Sequence, residues 1–259
     1  MDILKVTLIQ TELYWESPSA NLAHLEELIW GNRLETDLII LPEMFTTGFT
    51  MNAAKLAEPM NLSTFKWMAQ MAKQTGACMV GSYIVKEKGE FFNRLVWMQP
   101  NGNYSTYDKR HSFRMAKEHE VYSAGTERLV VELKGWKISP LICYDLRFPV
   151  WSRNNSEDMY DLLLYVANWP QRRQSAWQTL LPARAVENLA YSIGVNRIGE
   201  DGNRIAYGGG SQVCDYLGNR LADLQEEELV KTVELDGAKL QRYREKFPAQ
   251  LDADKFEIL

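Results

Sequence analysis

The sequence predicts a single α/β domain built around a mixed sheet, and three observations predict it. Short apolar runs of strand character alternate with helical periodicity along the chain. Turn residues join several neighbouring runs into hairpins, which a purely parallel sheet does not contain. No linker rich in Pro, Gly or Ser divides the 259 residues, and no close sequence repeat is visible, so one domain spanning 1–259 is expected.

Taken in order, the elements have these grounds. "ILKVTLIQ" (3–10) is a buried-strand run. Ser17-Pro18 opens a helical pattern with Leu22, Leu25, Leu28 and Ile29 on one face. "DLIILPEM" (37–44) is a continuous apolar run stopped by Pro42, as in a strand covered on both faces. Ser63 is placed to cap a second helix carrying Phe65, Trp67, Met68 and Met71, with Gly76 beyond its end. "ACMVGSYIV" (77–85) is a further strand, and 93–109 a hairpin about Pro100-Asn101-Gly102. Residues 109–125 are polar and irregular, a loop of a length that usually carries function. Residues 128–145 form a second hairpin turning near Lys134-Gly135, and "DLLLYVAN" (161–168) another buried strand. Residues 174–189 are helical, with Pro182 a kink or break. Gly-Asn and Asp-Gly turns join the later strands, and 238–247 makes a last helix.

Composition excludes several function classes. A net charge of −5 offers no electrostatic footprint for nucleic acid. No window reaches the roughly 20 apolar residues of a membrane span, and the N-terminus lacks the basic region of a signal peptide. Cys78, Cys143 and Cys214 show no C-x-x-C spacing, which argues against a zinc ribbon or a thioredoxin-type motif and suits a reducing, cytoplasmic setting. No metal site is expected, because the histidines have no i, i+4 pair and no Cys/His cluster exists.

Three reactive side chains stand at the ends of strand-like runs. Glu43 follows "LIILP", Lys109 follows "YSTYD" and Cys143 follows "ISPLI". Loops at the carboxyl ends of strands in α/β sheets are where ligands bind, so the three can converge. Their chemistry is coherent: a carboxylate takes the thiol proton, and an ammonium favours the thiolate and an oxyanion. Each also has a plain structural reading. A cysteine ending an apolar run is by itself a small buried hydrophobe. Glu43 alone is a capping or paired residue, and Lys109 alone a solvated one. Cys78 and Cys214 lack a polar sequel and are assigned to the core. A papain-like mechanism needs a histidine. His24 lies on an amphipathic helix and is expected at the surface, and His111 and His119 sit in the loop after Lys109.

With those residues in view, the chain resembles the carbon–nitrogen hydrolases of the nitrilase superfamily. "LIILPEMFTTGF" (38–49), "YDKRHSF" (107–113) and "LICYDLRFP" (141–149) are similar to that family's three motifs, in order and spaced by 66 and 34 residues at Glu43, Lys109 and Cys143. "YVANWP", "ARAVENLAY" and "GVNRIG" also look like family segments, so the resemblance covers nearly the whole chain. Ser112 departs from it, standing where a larger apolar residue is usual, which alters a pocket wall rather than the chemistry. The resemblance implies a four-layer α-β-β-α sandwich, commonly dimerised, with Glu43 as general base, Lys109 as catalytic lysine and Cys143 as nucleophile. It also implies a second glutamate in the loop: Glu118 fits the position, and Glu120 competes for it.

Within the superfamily, "EMFTTGF", "KRHSFRM" and "CYDLRFPVWSRN" look most like ω-amidases, which release ammonia from 2-oxo dicarboxylic monoamides such as 2-oxoglutaramate and 2-oxosuccinamate. Another amidase of the superfamily, acting on N-carbamoyl amines or aliphatic amides, is the alternative. A non-catalytic binding or redox-sensing module is a third. The implied mechanism uses a cysteine thioester, no cofactor, and the backbone N–H of Tyr144 beside Lys109 at the oxyanion. A substrate carboxylate needs a cation, for which Arg173, Arg147 and Arg114 are candidates, Arg173 being favoured because it follows a strand end. Phe45, Phe113 and Trp169 are candidate pocket walls. The expected partner is a small-molecule amide, with neither nucleic acid nor membrane, and the expected assembly is a homodimer.

Overall fold

A computed structural model describes residues 1–154 and 159–254. Its first strand, β1 (Ile3–Gln10), leads to helix α1 (Pro18–Gly31) and to β2 (Leu38–Ile40). A short helix α2 (Ala53–Leu56) and the longer α3 (Ser63–Thr75) precede a run of three strands, β3 (Cys78–Glu87), β4 (Glu90–Met98) and β5 (Tyr104–Asp108). The hairpin expected about Gly102 joins β4 to β5. After the loop come β6 (Val131–Leu133), β7 (Trp136–Ile142), α4 (Pro149–Ser152), β8 (Leu162–Ala167) and α5 (Gln174–Asn188). The chain ends in β9 (Tyr191–Asn196), β10 (Ile198–Glu200), β11 (Ala206–Gly208), β12 (Gln212–Cys214), β13 (Arg220–Asp223), β14 (Leu229–Asp236) and α6 (Gly237–Lys246).

The strands form two six-stranded sheets, ordered β14-β1-β2-β3-β4-β5 and β13-β12-β9-β8-β7-β6, with β10-β11 a separate ribbon. In each large sheet three central strands are parallel and the flanking ones antiparallel. The two sheets therefore share one plan, which the sequence does not reveal as a repeat.

Alternation along the strands explains the continuous apolar runs. In β2, Leu38 and Ile40 enter the core between the sheets, while Ile39 enters the core beneath α1 and α3. The same split holds in β4, with Leu95 and Trp97 on one side and Val96 and Met98 on the other. Successive side chains point to opposite faces, so a strand covered on both sides must be apolar throughout. Against the second sheet, Trp177 and Leu181 of α5 lie so close to Gly194 that a Cβ there would come within 2.5 Å of both. The result is the α-β-β-α sandwich that the resemblance implies.

Some local expectations differ. Ser63 is the first residue of α3 and does not cap it; Glu58 instead accepts from Thr64 N and Oγ1 at 3.0 and 2.7 Å. Gly76 does end the helix, in the left-handed region at φ 70°. Pro182 stands inside a continuous α5. His24 is half-buried rather than free at the surface, with Thr11 Oγ1 at 2.7 Å and Glu228 Oε1 at 3.3 Å. Cys78 and Cys214 are buried, as expected of core residues. Among the described residues no helix is long and apolar enough to cross a membrane.

Candidate active site

Four strand ends deliver the site. Beyond β2, Leu41 N donates to Val80 O, and Pro42 then carries the chain to Glu43, which is fully buried. Past β5, Lys109 N donates to Asn93 O, keeping the lysine on the line of the sheet. Cys143 follows β7 with φ 45°, a left-handed backbone uncommon for a residue with a Cβ, and begins a 3-10 turn. Asn168 follows β8. The strands β2, β7 and β8 are apolar and buried, which fixes the polar residues beyond their ends, whereas β5 is a part-exposed edge strand and Lys109 is held through its hydrogen bond to β4.

The structure brings Glu43, Lys109, Glu118 and Cys143 together. Lys109 Nζ donates to Glu43 Oε1 at 2.8 Å and to both oxygens of Glu118 at 3.0 Å. Asn93 Nδ2 donates to Glu43 Oε1 at 2.8 Å and to Glu118 Oε1 at 3.3 Å. The last oxygen of each carboxylate is also taken: Glu43 Oε2 by Asn168 N at 2.8 Å, and Glu118 Oε2 by Phe113 N at 2.5 Å. Glu118 is fully buried in a 3-10 turn of the loop, whereas Glu120 is exposed.

The charges are strongly coupled. Burial pushes the Cys143 thiol well above its ordinary value, and the neighbouring Glu43 carboxylate, which also hydrogen-bonds it, pushes the same way against Lys109. Burial raises Glu118, Lys109 opposes that, and Glu43 adds to it. Burial alone would lower the Lys109 ammonium, but Glu118 and Glu43 outweigh it and the net shift is upward. The resting thiol is therefore protonated beside a carboxylate, and the lysine stays an ammonium.

A second network lies under the turn that begins at Cys143. Asp145, two residues past Cys143, is fully buried. Its Oδ1 accepts from His111 N at 3.0 Å and lies 2.8 Å from His111 Nδ1, and its Oδ2 accepts from Tyr107 Oη at 2.7 Å and Ile142 N at 3.1 Å. One carboxylate thus ties the residue before Cys143 to residues on both sides of Lys109. His111 lies flat on Phe148, 3.7 Å between ring centroids, and His119 is exposed.

Lys109 and Cys143 line a cavity of about 530 Å³ together with Phe113, Tyr144, Trp169, Arg147 and Arg173. Arg173 packs over Phe113 and Arg147 over Trp169, each at 5.3 Å. Arg173 Nη2 reaches Met115 Sδ, while Nη1 has no partner among the described residues. Arg114 is exposed and not part of the lining. Phe45 is not a wall: it is fully buried in the core under α3, against Trp67 and Tyr83. A large aromatic two residues after Glu43 looks the same in sequence whether it turns to the cavity or to the core.

Sequence reasoning missed Asn93, Asn168, Asp145 and a wall made by Phe49, Asn203, Ile205 and Tyr207. Asn168 carried a usable signal, since it ends an apolar run as Glu43 does. Asn93 lies inside β4 and carried none. Among the described residues no group of three or more His, Cys, Asp or Glu is arranged to hold a metal ion.

Comparison with known proteins agrees with this geometry. The family model "Carbon-nitrogen hydrolase" matches residues 5–245. The chain is 48% identical to "Omega-amidase YafV" of Yersinia enterocolitica over the full length of both. It is 32% identical to "2-oxoglutaramate amidase" of Bacillus subtilis, over 96% of this chain and 97% of that one. The solved structure of XC1258 from Xanthomonas campestris, described as a CN-hydrolase superfamily protein with an arsenic adduct in the active site, superposes with a TM-score of 0.98 at 44% identity, covering all of both chains. With a matching family model over most of its length and a sandwich that brings Lys109 and Cys143 to one cavity, Glu43 being hydrogen-bonded to Lys109, the chain belongs to the carbon-nitrogen hydrolase family, hydrolases of linear amide C–N bonds.

Proposed function

We propose that the protein is an ω-amidase, hydrolysing the terminal amide of 2-oxo dicarboxylic monoamides such as 2-oxoglutaramate and 2-oxosuccinamate to the 2-oxo diacid and ammonia. One observation carries the reading: a single cavity is lined by a thiol and by a lysine bonded to two buried glutamates, and also by an arginine whose Nη1 has no partner among the described residues. The first suits an amide and the second a carboxylate. The names borne by the relatives support the same substrate class.

Glu43 takes the thiol proton as Sγ of Cys143 attacks the amide carbon. Lys109 and the backbone N–H of Tyr144 hold the oxyanion. Glu43 returns its proton to the nitrogen as the C–N bond breaks, ammonia leaves, and a thioester remains. Glu43 then takes a proton from water as the oxygen attacks the thioester, and gives it to the departing sulfur. Glu118 fixes Lys109 through two hydrogen bonds. Arg173 receives the substrate carboxylate, and Arg147 flanks it over Trp169. Phe113 and Trp169 serve as apolar walls. Three free, buried cysteines support a cytoplasmic setting. Exposed Val186 and Phe247, lining one groove with Leu189, support a homodimer through that face.

The test is ammonia release from 2-oxoglutaramate, compared with N-carbamoyl amines and simple aliphatic amides, with mass spectrometry of the quenched enzyme. The expected result is preference for the 2-oxo acid and a thioester adduct on Cys143 that Cys143→Ala lacks. Turnover surviving in Cys143→Ala would overturn the mechanism, and preference for N-carbamoyl compounds would overturn the substrate class.

A further inference from the structure

Ten buried side-chain nitrogen or oxygen atoms among the described residues have no hydrogen-bond partner, and only two belong to residues lining the active-site cavity. One is Arg173 Nη1, a donor. The other is Asn168 Oδ1, an acceptor. Buried polar atoms are satisfied almost without exception, because an unmet one keeps its full desolvation cost. An unmet pair in a cavity points to the atoms that a ligand brings.

The orientation of Asn168 is fixed by its other groups. Its backbone N donates to Glu43 Oε2 at 2.8 Å, and its Nδ2 donates to the carbonyl oxygen of Glu43. The carboxamide therefore cannot rotate Oδ1 toward Glu43, where it would face another acceptor. The rival acceptors nearby are engaged: Glu43 Oε1 by Lys109 and Asn93, and both Glu118 oxygens by Lys109. Asn93 Oδ1 is also without a partner, but Asn93 does not line the cavity. Among the carboxamide and carboxylate oxygens of this cluster, Asn168 Oδ1 alone is both unmet and on a residue of the cavity lining.

We infer that Asn168 Oδ1 accepts an N–H of the scissile amide, making Asn168 a catalytic residue selective for amides; this rests on the amidase reading above. The contact holds the substrate nitrogen beside Glu43, the carboxyl group that must protonate it as the C–N bond breaks. It persists as the amide becomes an amine, which still carries N–H donors. An ester of the same acid offers no N–H at that place, so it gains nothing from Oδ1.

The test pairs enzyme variants with two substrates, 2-oxoglutaramate and the ω-methyl ester of 2-oxoglutarate. For Asn168→Ala, both substrates lose the brace on Glu43, and kcat/KM for the amide is expected to fall roughly 10–100-fold further than kcat/KM for the ester. Asn168→Asp keeps an acceptor oxygen but loses the Nδ2 donor to Glu43 O, so it is expected to lower both substrates together and hold the amide-to-ester ratio within about threefold of wild type. Equal losses on both substrates in Asn168→Ala would overturn the inference, because Asn168 would then act only by bracing Glu43. Thermal melting identifies a variant that fails to fold. If Asn168→Ala fails, the Asp variant decides, and loss of its amide preference overturns the inference. If the wild type leaves 2-oxoglutaramate intact but cleaves another primary amide, the ω-amidase reading falls, and that amide with its matching ester still decides Asn168. If it cleaves no primary amide, both fall.

Discussion

At the scale of single residues, Cys143 shows what a sequence can and cannot tell. Its place after an apolar run made it visible, and so did the strand ends of Glu43 and Lys109. Their mutual hydrogen bonds were not legible, because residues 43, 109 and 118 meet only through sheet pairing and a folded loop. The burial of Asp145 is not legible in the sequence, because an aspartate after a strand usually faces water; four hydrogen-bond contacts offset its desolvation here. The electrostatics of Cys143 give a test with opposite signs in two readouts. Burial raises the thiol, Glu43 raises it further, and Lys109 lowers it. Glu43→Gln removes the negative charge and leaves Lys109, so the titration midpoint of Cys143 should move down. Turnover should nonetheless fall by roughly a hundredfold or more, because the proton acceptor has gone. Thiolate ultraviolet absorbance against pH and steady-state kcat measure the two. A midpoint that rises or stays in place would show that Glu43 does not set the thiol's environment.

At the scale of elements, the loop between β5 and β6 carries Glu118, Phe113 and Arg110, and its closure places Lys109. Gly125 N donates to Lys109 O at 3.0 Å, and Arg110 Nη1 donates to Gly125 O at 3.2 Å. A Cβ on Gly125 would stand 2.1 Å from the carbonyl oxygen of Asp108, a backbone atom with little room to retreat. The sequence marks Gly125 as the end of a loop, but only the structure shows that the loop end bears on the strand carrying the lysine. Gly125→Ala should therefore cost about 1–3 kcal/mol of stability through overpacking. It should also lower kcat by at least about tenfold, since small displacements of a catalytic group are expensive. Gly31→Ala is the control, because nothing lies within 4 Å of its Cβ position at the end of α1. Chemical denaturation and kcat on both variants check this. If Gly125→Ala lost stability while keeping full kcat, the loop closure would have no part in placing Lys109.

At the scale of the whole molecule, the apolar runs and hairpins made the α/β class legible, while the two-sheet plan came only through family resemblance. Two sheets with the same central parallel triplet leave no common residue pattern, since any apolar residue of suitable size fills a doubly covered strand. Charge poses a similar question of scale. The chain carries −5 overall, yet Arg147, Arg172 and Arg173 all line the cavity. A carboxylate substrate could be drawn by their summed field or held by one guanidinium, and salt separates the two. A field acting over several ångströms through water is screened at about 8 Å at physiological ionic strength, whereas a close ion pair within the cavity is screened much less. The unpartnered Nη1 of Arg173 favours the close pair. Arg173→Ala should raise KM for 2-oxoglutaramate by about tenfold or more, leave an uncharged amide within about twofold, and keep that contrast at high salt. If the contrast vanished on adding salt, recognition would lie in the arginine field. If both substrates suffered equally at every ionic strength, Arg173 would be a support of the cavity wall and not a carboxylate receptor.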